Sequence, residues 1–158
     1  MLDTQTFAAV VHNTPLVSID ICLVCNGQIL LGKRNNKPLK GQWFTPGGRI
    51  LKNERWQDCL KRVAWSELGL CIDDAREYQL MGVWDHFYSD SDVGDNISTH
   101  YVNLPHFASF STRPIIKADS QHDDLKWFDL EAVASKKFFH KYMQIYVSWL
   151  IDRDKAND

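Results

Sequence analysis

The chain has 158 residues, which the usual size scaling makes a single domain over residues 1–158 with a core of its own, and 18 basic against 20 acidic residues leave a net charge of −2. That balance offers no general field for DNA, RNA or an anionic lipid surface, so any anionic partner must be small and held by a local cluster. No apolar run approaches the roughly 20 residues of a spanning helix and no basic-then-apolar leader opens the chain, so the expected location is the cytoplasm.

Residues 3–12 show a short helical pattern, with Asp3 or Thr4 as cap and Phe7, Val10 and Val11 on its apolar side. Residues 16–25 alternate as a strand, Asn26-Gly27 is a two-residue hairpin signal, and Gln28 to Lys33 form the return strand. Asp20 interrupts an otherwise β-branched and aliphatic run. The pair Cys22 and Cys25 spans three positions of a strand, so the two sulfurs point to opposite faces and cannot easily grip one ion. With Cys59 and Cys71 they read as reduced packing residues.

Asn35 to Gly41 is a loop of turn formers, Gln42 to Phe44 a short strand, and Pro46-Gly47-Gly48 a tight turn that lets backbone approach a ligand. Beyond it Trp56, Cys59, Leu60, Val63 and Ala64 recur at helical steps, and Gly69 supplies the stop. Glu67 falls on the same stripe, in the last turn, where free carbonyls carry negative partial charge; a carboxylate there needs a cation. Arg34, Arg49 and Arg62 bracket turn and helix, and forked guanidinium groups suit the oxygens of a diphosphate.

Tyr78 to Tyr88 reads as a strand, Ser89 to Asn96 as a polar loop, and Ile97 to Phe110 as a long strand pairing back, with Pro105 at an edge or bulge and His86 and Tyr101 near its facing ends. Ser111 to Asp124 is a long connection ending in Gln121-His122-Asp123-Asp124, which puts a neutral oxygen ligand beside an imidazole that titrates near neutral pH. A strand from Leu125 to Phe128, a short helix capped by Asp129, and an amphipathic helix from about Lys137 to Ile151 follow, with Asp152 to Asp158 as a frayed tail.

The spacing Gly48, five residues, Glu54, seven residues, Arg62, then Ala64, Glu67, Gly69 and Leu70 resembles the box of the Nudix hydrolases. The general box carries three helix carboxylates; Val63 and Ser66 stand at two of those positions. That particular loss resembles the GDP-mannose mannosyl hydrolase branch, as do Thr14-Pro-Leu-Val-Ser-Ile-Asp20, Leu31-Gly-Lys-Arg34, Trp43-Phe-Thr-Pro-Gly-Gly-Arg49, Gly82-Val-Trp-Asp-His-Phe-Tyr88, Thr99-His-Tyr101 and Gln121-His-Asp-Asp124.

The resemblance implies an α+β fold over almost the whole chain, a mixed curved sheet flanked by the box helix and the C-terminal helix. It implies one Mg²⁺ per subunit, held by the Gly47 carbonyl, Glu67 and Gln121, a load that hard-ion chemistry allows with a single carboxylate. The substrate would be GDP-mannose or a related GDP-sugar, opened at the anomeric carbon with inversion, and His122 would be the base. Arg34, Arg49, Arg62 and Tyr101 would stabilise the leaving diphosphate, and Asp20 and His86 would meet the sugar or the charge beside it. Leu2 and Phe7 would help hold the nucleotide in a homodimer whose two subunits both build the site. Two alternatives stand beside this: a Nudix pyrophosphohydrolase cutting at phosphorus, and a domain that binds nucleotide sugar without turnover.

Overall fold

The structure is a computed structural model that describes residues 1–117 and 124–158. Helix α1 (Thr4–Asn13) starts at Asp3, whose carboxylate accepts the Thr6 N–H at 2.9 Å. It leads into β1 (Leu16–Cys25), which turns through Asn26 (φ 49°) and Gly27 (φ 75°) into β2 (Gln28–Lys33). Those positive φ values are what a primed two-residue hairpin demands, and Asn-Gly meets them with little steric cost.

Strand β1 is the axis. It runs parallel to β7 (Thr99–Phe110) along its whole length, and its other edge takes β4 (Gly47–Arg49) and then β2. Both of its faces are covered, and alternation sorts them. Ile19, Ile21 and Leu23 pack with Cys59, Leu60, Val63, Ala64 and Leu68 of α2 (Trp56–Leu68). Cys22 and Val24 pack with Tyr142, Met143, Tyr146 and Val147 of α4 (Lys141–Asn157). Each fully buried aliphatic side chain contributes about 2 kcal/mol. The sheet is completed by β3 (Trp43–Phe44) and β8 (Leu125–Asp129) against β2, and by β5 (Gln79–Leu80) and β6 (Trp84–Tyr88) against β7, with the short helix α3 (Leu130–Ser135) between β8 and α4.

Several expectations need correction. Pro46-Gly47-Gly48 is not a tight turn; Gly47 to Arg49 pair antiparallel with Asp20 to Ser18 as a strand. Tyr78 to Tyr88 is two strands, not one. Leu80 pairs with His106 and Trp84 with Asn103, so three residues, 81–83, face two, 104–105: a bulge. Pro105 sits at that bulge inside β7, as a residue lacking an N–H must, and its carbonyl accepts the Met81 N–H at 2.9 Å. Asp129 stands at the start of α3 but its carboxylate accepts from Gln28 Nε2 at 3.1 Å rather than capping. The last helix begins at Lys141, with His140 Nδ1 accepting the Tyr142 N–H, and continues to Asn157, so the segment from Asp152 is helical rather than frayed. All four cysteines are free thiols, three of them buried. Among the described residues no helix is long and apolar enough to cross a membrane.

Candidate functional site

Period two decides which side chains meet on the α4 side of the sheet. Ser18 pairs with Arg49 on one edge and Asn103 on the other, Asp20 pairs with Gly47, and His86 pairs with Tyr101. These residues line one cavity of about 130 Å³, with Phe44 and Leu39 on its wall and Arg34 reaching in from the end of β2. Six residues expected from the sequence, Asp20, Arg34, Gly47, Arg49, His86 and Tyr101, therefore share a single hollow.

Each is held by its neighbours. Arg34 donates from Nε to the Pro38 carbonyl at 2.8 Å, which fixes its guanidinium at the edge of the hollow. Arg49 lies 4.2 Å over the ring of Phe7, a cation–π contact that ties α1 to the site. Asp20 is 6% exposed, and burial raises its carboxyl to about 6 against the pull of the Tyr146 hydroxyl and the Arg34 charge. His86 is 2% exposed and stacks on Tyr142 at 3.9 Å, 4° from parallel. Burial lowers His86 to about 4, so its ring is neutral at pH 7; Nδ1 lies 3.3 Å from the Tyr88 hydroxyl, and Nε2 has no partner among the described residues. Burial likewise raises Tyr101, which stays a phenol.

The other expected residues lie elsewhere. Arg62 does not line the cavity: it grips Glu54 at 2.6 and 2.9 Å and donates to the Arg49 carbonyl at 3.0 Å, so it braces the backbone of β4. Leu2 is exposed at the start of the chain. Gln121 and His122 lie outside the described residues. The Lys117 N–H donates to the Leu68 carbonyl at 2.8 Å, and the Asp124 carbonyl accepts the Lys33 N–H at 3.1 Å.

Glu67 approaches Gly47 from α2, its Oε2 accepting the Gly47 N–H at 3.0 Å. In the β1–β4 ladder Ile21 donates to Pro46 and Ile50 to Val17, which makes the Asp20–Gly47 pair a non-bonded one and turns the Gly47 N–H and carbonyl together away from β1. The carbonyl of Gly47 and the carboxylate of Glu67 thus face the same side. Two hard oxygens, one of them anionic, suit a divalent cation that keeps other ligands from water or substrate, so the donor chemistry fits. A Cβ at Gly47 would run into Asp20 Oδ1 and meet the Ile19 carbonyl at 2.9 Å. This is why glycine stands between the carboxylate on the sheet and the carboxylate on the helix.

Sequence reasoning missed Ser18, Tyr88, Asn103, Tyr142 and Tyr146. Ser18 and Tyr88 lie inside segments that carry the resemblance, and parity was a further signal, since Ser18 lies two residues before Asp20, Tyr88 two after His86 and Asn103 two after Tyr101.

Residues 14–150 match the NUDIX domain model. The chain belongs to the Nudix family. Its mixed sheet between helices is the Nudix fold, and Nudix hydrolases act on substrates linked through a nucleoside diphosphate, generally with a divalent metal ion. The low-salt glycan biosynthesis protein Agl8 of Haloferax volcanii is 39% identical over 142 residues, 90% of this Nudix chain and 86% of that one. An ADP-ribose pyrophosphatase of Methanocaldococcus jannaschii is 27% identical over 148 residues, 93% of this chain and 80% of that one. The crystal structure of a MutT Nudix hydrolase from Burkholderia pseudomallei superposes with a TM-score of 0.68 at 24% identity, covering 87% of this chain and 98% of that one.

Proposed function

We propose that this Nudix protein hydrolyses a GDP-sugar, GDP-mannose in the first instance, to GDP and free sugar by attack of water on the anomeric carbon. The observation that carries the reading is the meeting of Arg34 and Arg49 with buried Asp20 and His86 and half-buried Tyr101 in one hollow, beside a box helix that has Glu67 but Val63 and Ser66 in place of further carboxylates. That helix has too little negative charge to hold a cluster of ions around a phosphorus centre, so the carbon end of the linkage is the one to break. The glycan-related name of the relative from Haloferax volcanii supports a sugar nucleotide.

The Gly47 carbonyl and Glu67, with Gln121 from outside the described residues, would hold one Mg²⁺, which when bound neutralises charge on the diphosphate. Arg34 and Arg49 bind the diphosphate oxygens and take up the electron pair's charge as the bond between carbon and oxygen breaks. Tyr101 donates to the same oxygens. Asp20 faces the positive charge that develops on the ring, with neutral His86 orienting the sugar beside it. His122 takes the proton of the attacking water, which enters opposite the leaving GDP and inverts the carbon. Phe7 and Leu2 meet the nucleotide in a homodimer.

The name of the relative from Methanocaldococcus jannaschii favours a second reading, cleavage at phosphorus. Turnover of GDP-mannose with Mg²⁺ in water enriched in heavy oxygen separates them: the label on the sugar supports our reading, and the label on a phosphate overturns it. His122→Gln should lower kcat by about a hundredfold or more with little change in affinity.

A further inference from the structure

We propose that Asn103 is a specificity-determining residue, donating from its amide to a hydroxyl oxygen of the sugar; the inference deepens the function just proposed and rests on it. Asn103 sits on β7 directly across from Ser18 of β1, and the Ser18 hydroxyl donates to its Oδ1. In that contact the amide oxygen of Asn103 is the end turned toward Ser18. Its Nδ2 is then left without a hydrogen-bond partner among the described residues, although the side chain is 96% removed from solvent (4% exposed) and lines the hollow.

A buried amide N–H₂ with nothing to donate to is expensive, by about 1–3 kcal/mol, and a folded protein keeps such a group where a ligand or a bound water completes it. The surroundings say which ligand. The positive groups, Arg34 and Arg49, are half-buried, whereas Ser18, Asn103, His86 and Asp20 are all below 7% exposure on the floor. A phosphate there would meet the Asp20 carboxylate rather than a cation. A neutral ring whose hydroxyls each donate and accept fits, since the floor offers an acceptor in Asp20 and two nitrogens, Asn103 Nδ2 and His86 Nε2, that have no partner among the described residues. A site built to hydrogen-bond a substrate hydroxyl rejects the analogue that lacks it, because the site's own polar group is then stranded.

The test compares Asn103→Leu, which keeps the approximate shape and removes the donor, with the unaltered protein. Binding of GDP and of GDP-mannose is measured by calorimetry with Mg²⁺ at low temperature over times too short for turnover. Turnover is followed for GDP-mannose and for its singly deoxygenated sugar analogues, and thermal unfolding reports the fold. We expect kcat/KM for GDP-mannose to fall about ten- to a hundredfold in Asn103→Leu, with GDP affinity unchanged within about twofold. One deoxy analogue should already be poor with the unaltered protein and lose no more on substitution. Asn103→Asp, isosteric but without the donor, should behave like Asn103→Leu. Equal loss of affinity for GDP and GDP-mannose would place Asn103 against the nucleotide and overturn the inference, and unchanged kcat/KM would reduce its amide to a partner of buried water. If the unaltered protein turns over no GDP-sugar at all, the proposed function falls first and the inference with it.

Discussion

Tyr146, near the end of the chain, donates its hydroxyl to Asp20 Oδ2 at 2.6 Å across 126 residues of sequence. The bond is buried, and it is how the C-terminal helix reaches the floor of the site. Burial next to that carboxylate raises the phenol far above its ordinary range, so Tyr146 keeps its proton and donates it to the ionised Asp20. Removing the donor in Tyr146→Phe takes away the largest influence that lowers the Asp20 carboxyl, which should climb beyond about 6. The acid limb of kcat/KM against pH should move to higher pH, with thermal stability falling by about 1–2 kcal/mol. A shape unchanged along the pH axis would show that Asp20 does not titrate in the reaction.

Asp20→Asn tests the other side of the same linkage. The folded-state value is raised from 3.8 to about 6, so the folded protein holds a proton that the unfolded chain has already lost. Stability from this group is complete below 3.8 and is lost as pH rises through about 6, a difference of about 3 kcal/mol. The amide variant should therefore be inactive yet more heat-resistant than the unaltered protein at pH 8, and the advantage should vanish near pH 3.5. Paired unfolding scans at the two pH values check it.

The arginines should separate by position. Arg34→Ala and Arg49→Ala remove cations from the hollow, and each should cost about a hundredfold or more in kcat/KM. Arg62→Ala removes a brace between Glu54 and the Arg49 carbonyl, and should cost less than about tenfold together with about 1 kcal/mol of stability. Steady-state kinetics and denaturant unfolding on the three variants report the order.

Glu67→Gln keeps shape and a hydrogen-bond acceptor for the Gly47 N–H but discards the charge. Affinity for Mn²⁺, used as a spectroscopic substitute for Mg²⁺, should weaken by about tenfold or more, while circular dichroism stays the same. Gly47→Ala should fail differently, through the clash with Asp20 and the Ile19 carbonyl, with a loss of about 2–3 kcal/mol in stability.

Much of this was legible in the residues because local chemistry and tertiary structure agree. The first two strands and their Asn-Gly hairpin carry period two and a forced turn, and both strands lie where the pattern puts them. Glycine ordinarily signals a turn, which is why the sequence points to one at Gly47. It is a strand residue here for a tertiary reason, the lack of room beside Asp20. The end of α4 is not legible in the sequence because its charged residues continue a helix without an apolar stripe to announce it. Asn103 carries no motif, and only the parallel register of β1 with β7, strands far apart in sequence, makes it a neighbour of Ser18.

That register ties folding to chemistry. A slip of β1 by one residue would turn Ser18 and Asp20 toward α2 and push Ile19 and Ile21 under the tyrosines of α4, ruining two apolar layers along with the reactive floor. No misregistered chain can hide as a well-packed but idle protein. Catalytic output thus doubles as a readout of correct assembly, and the specific activity of a preparation should track its properly threaded fraction.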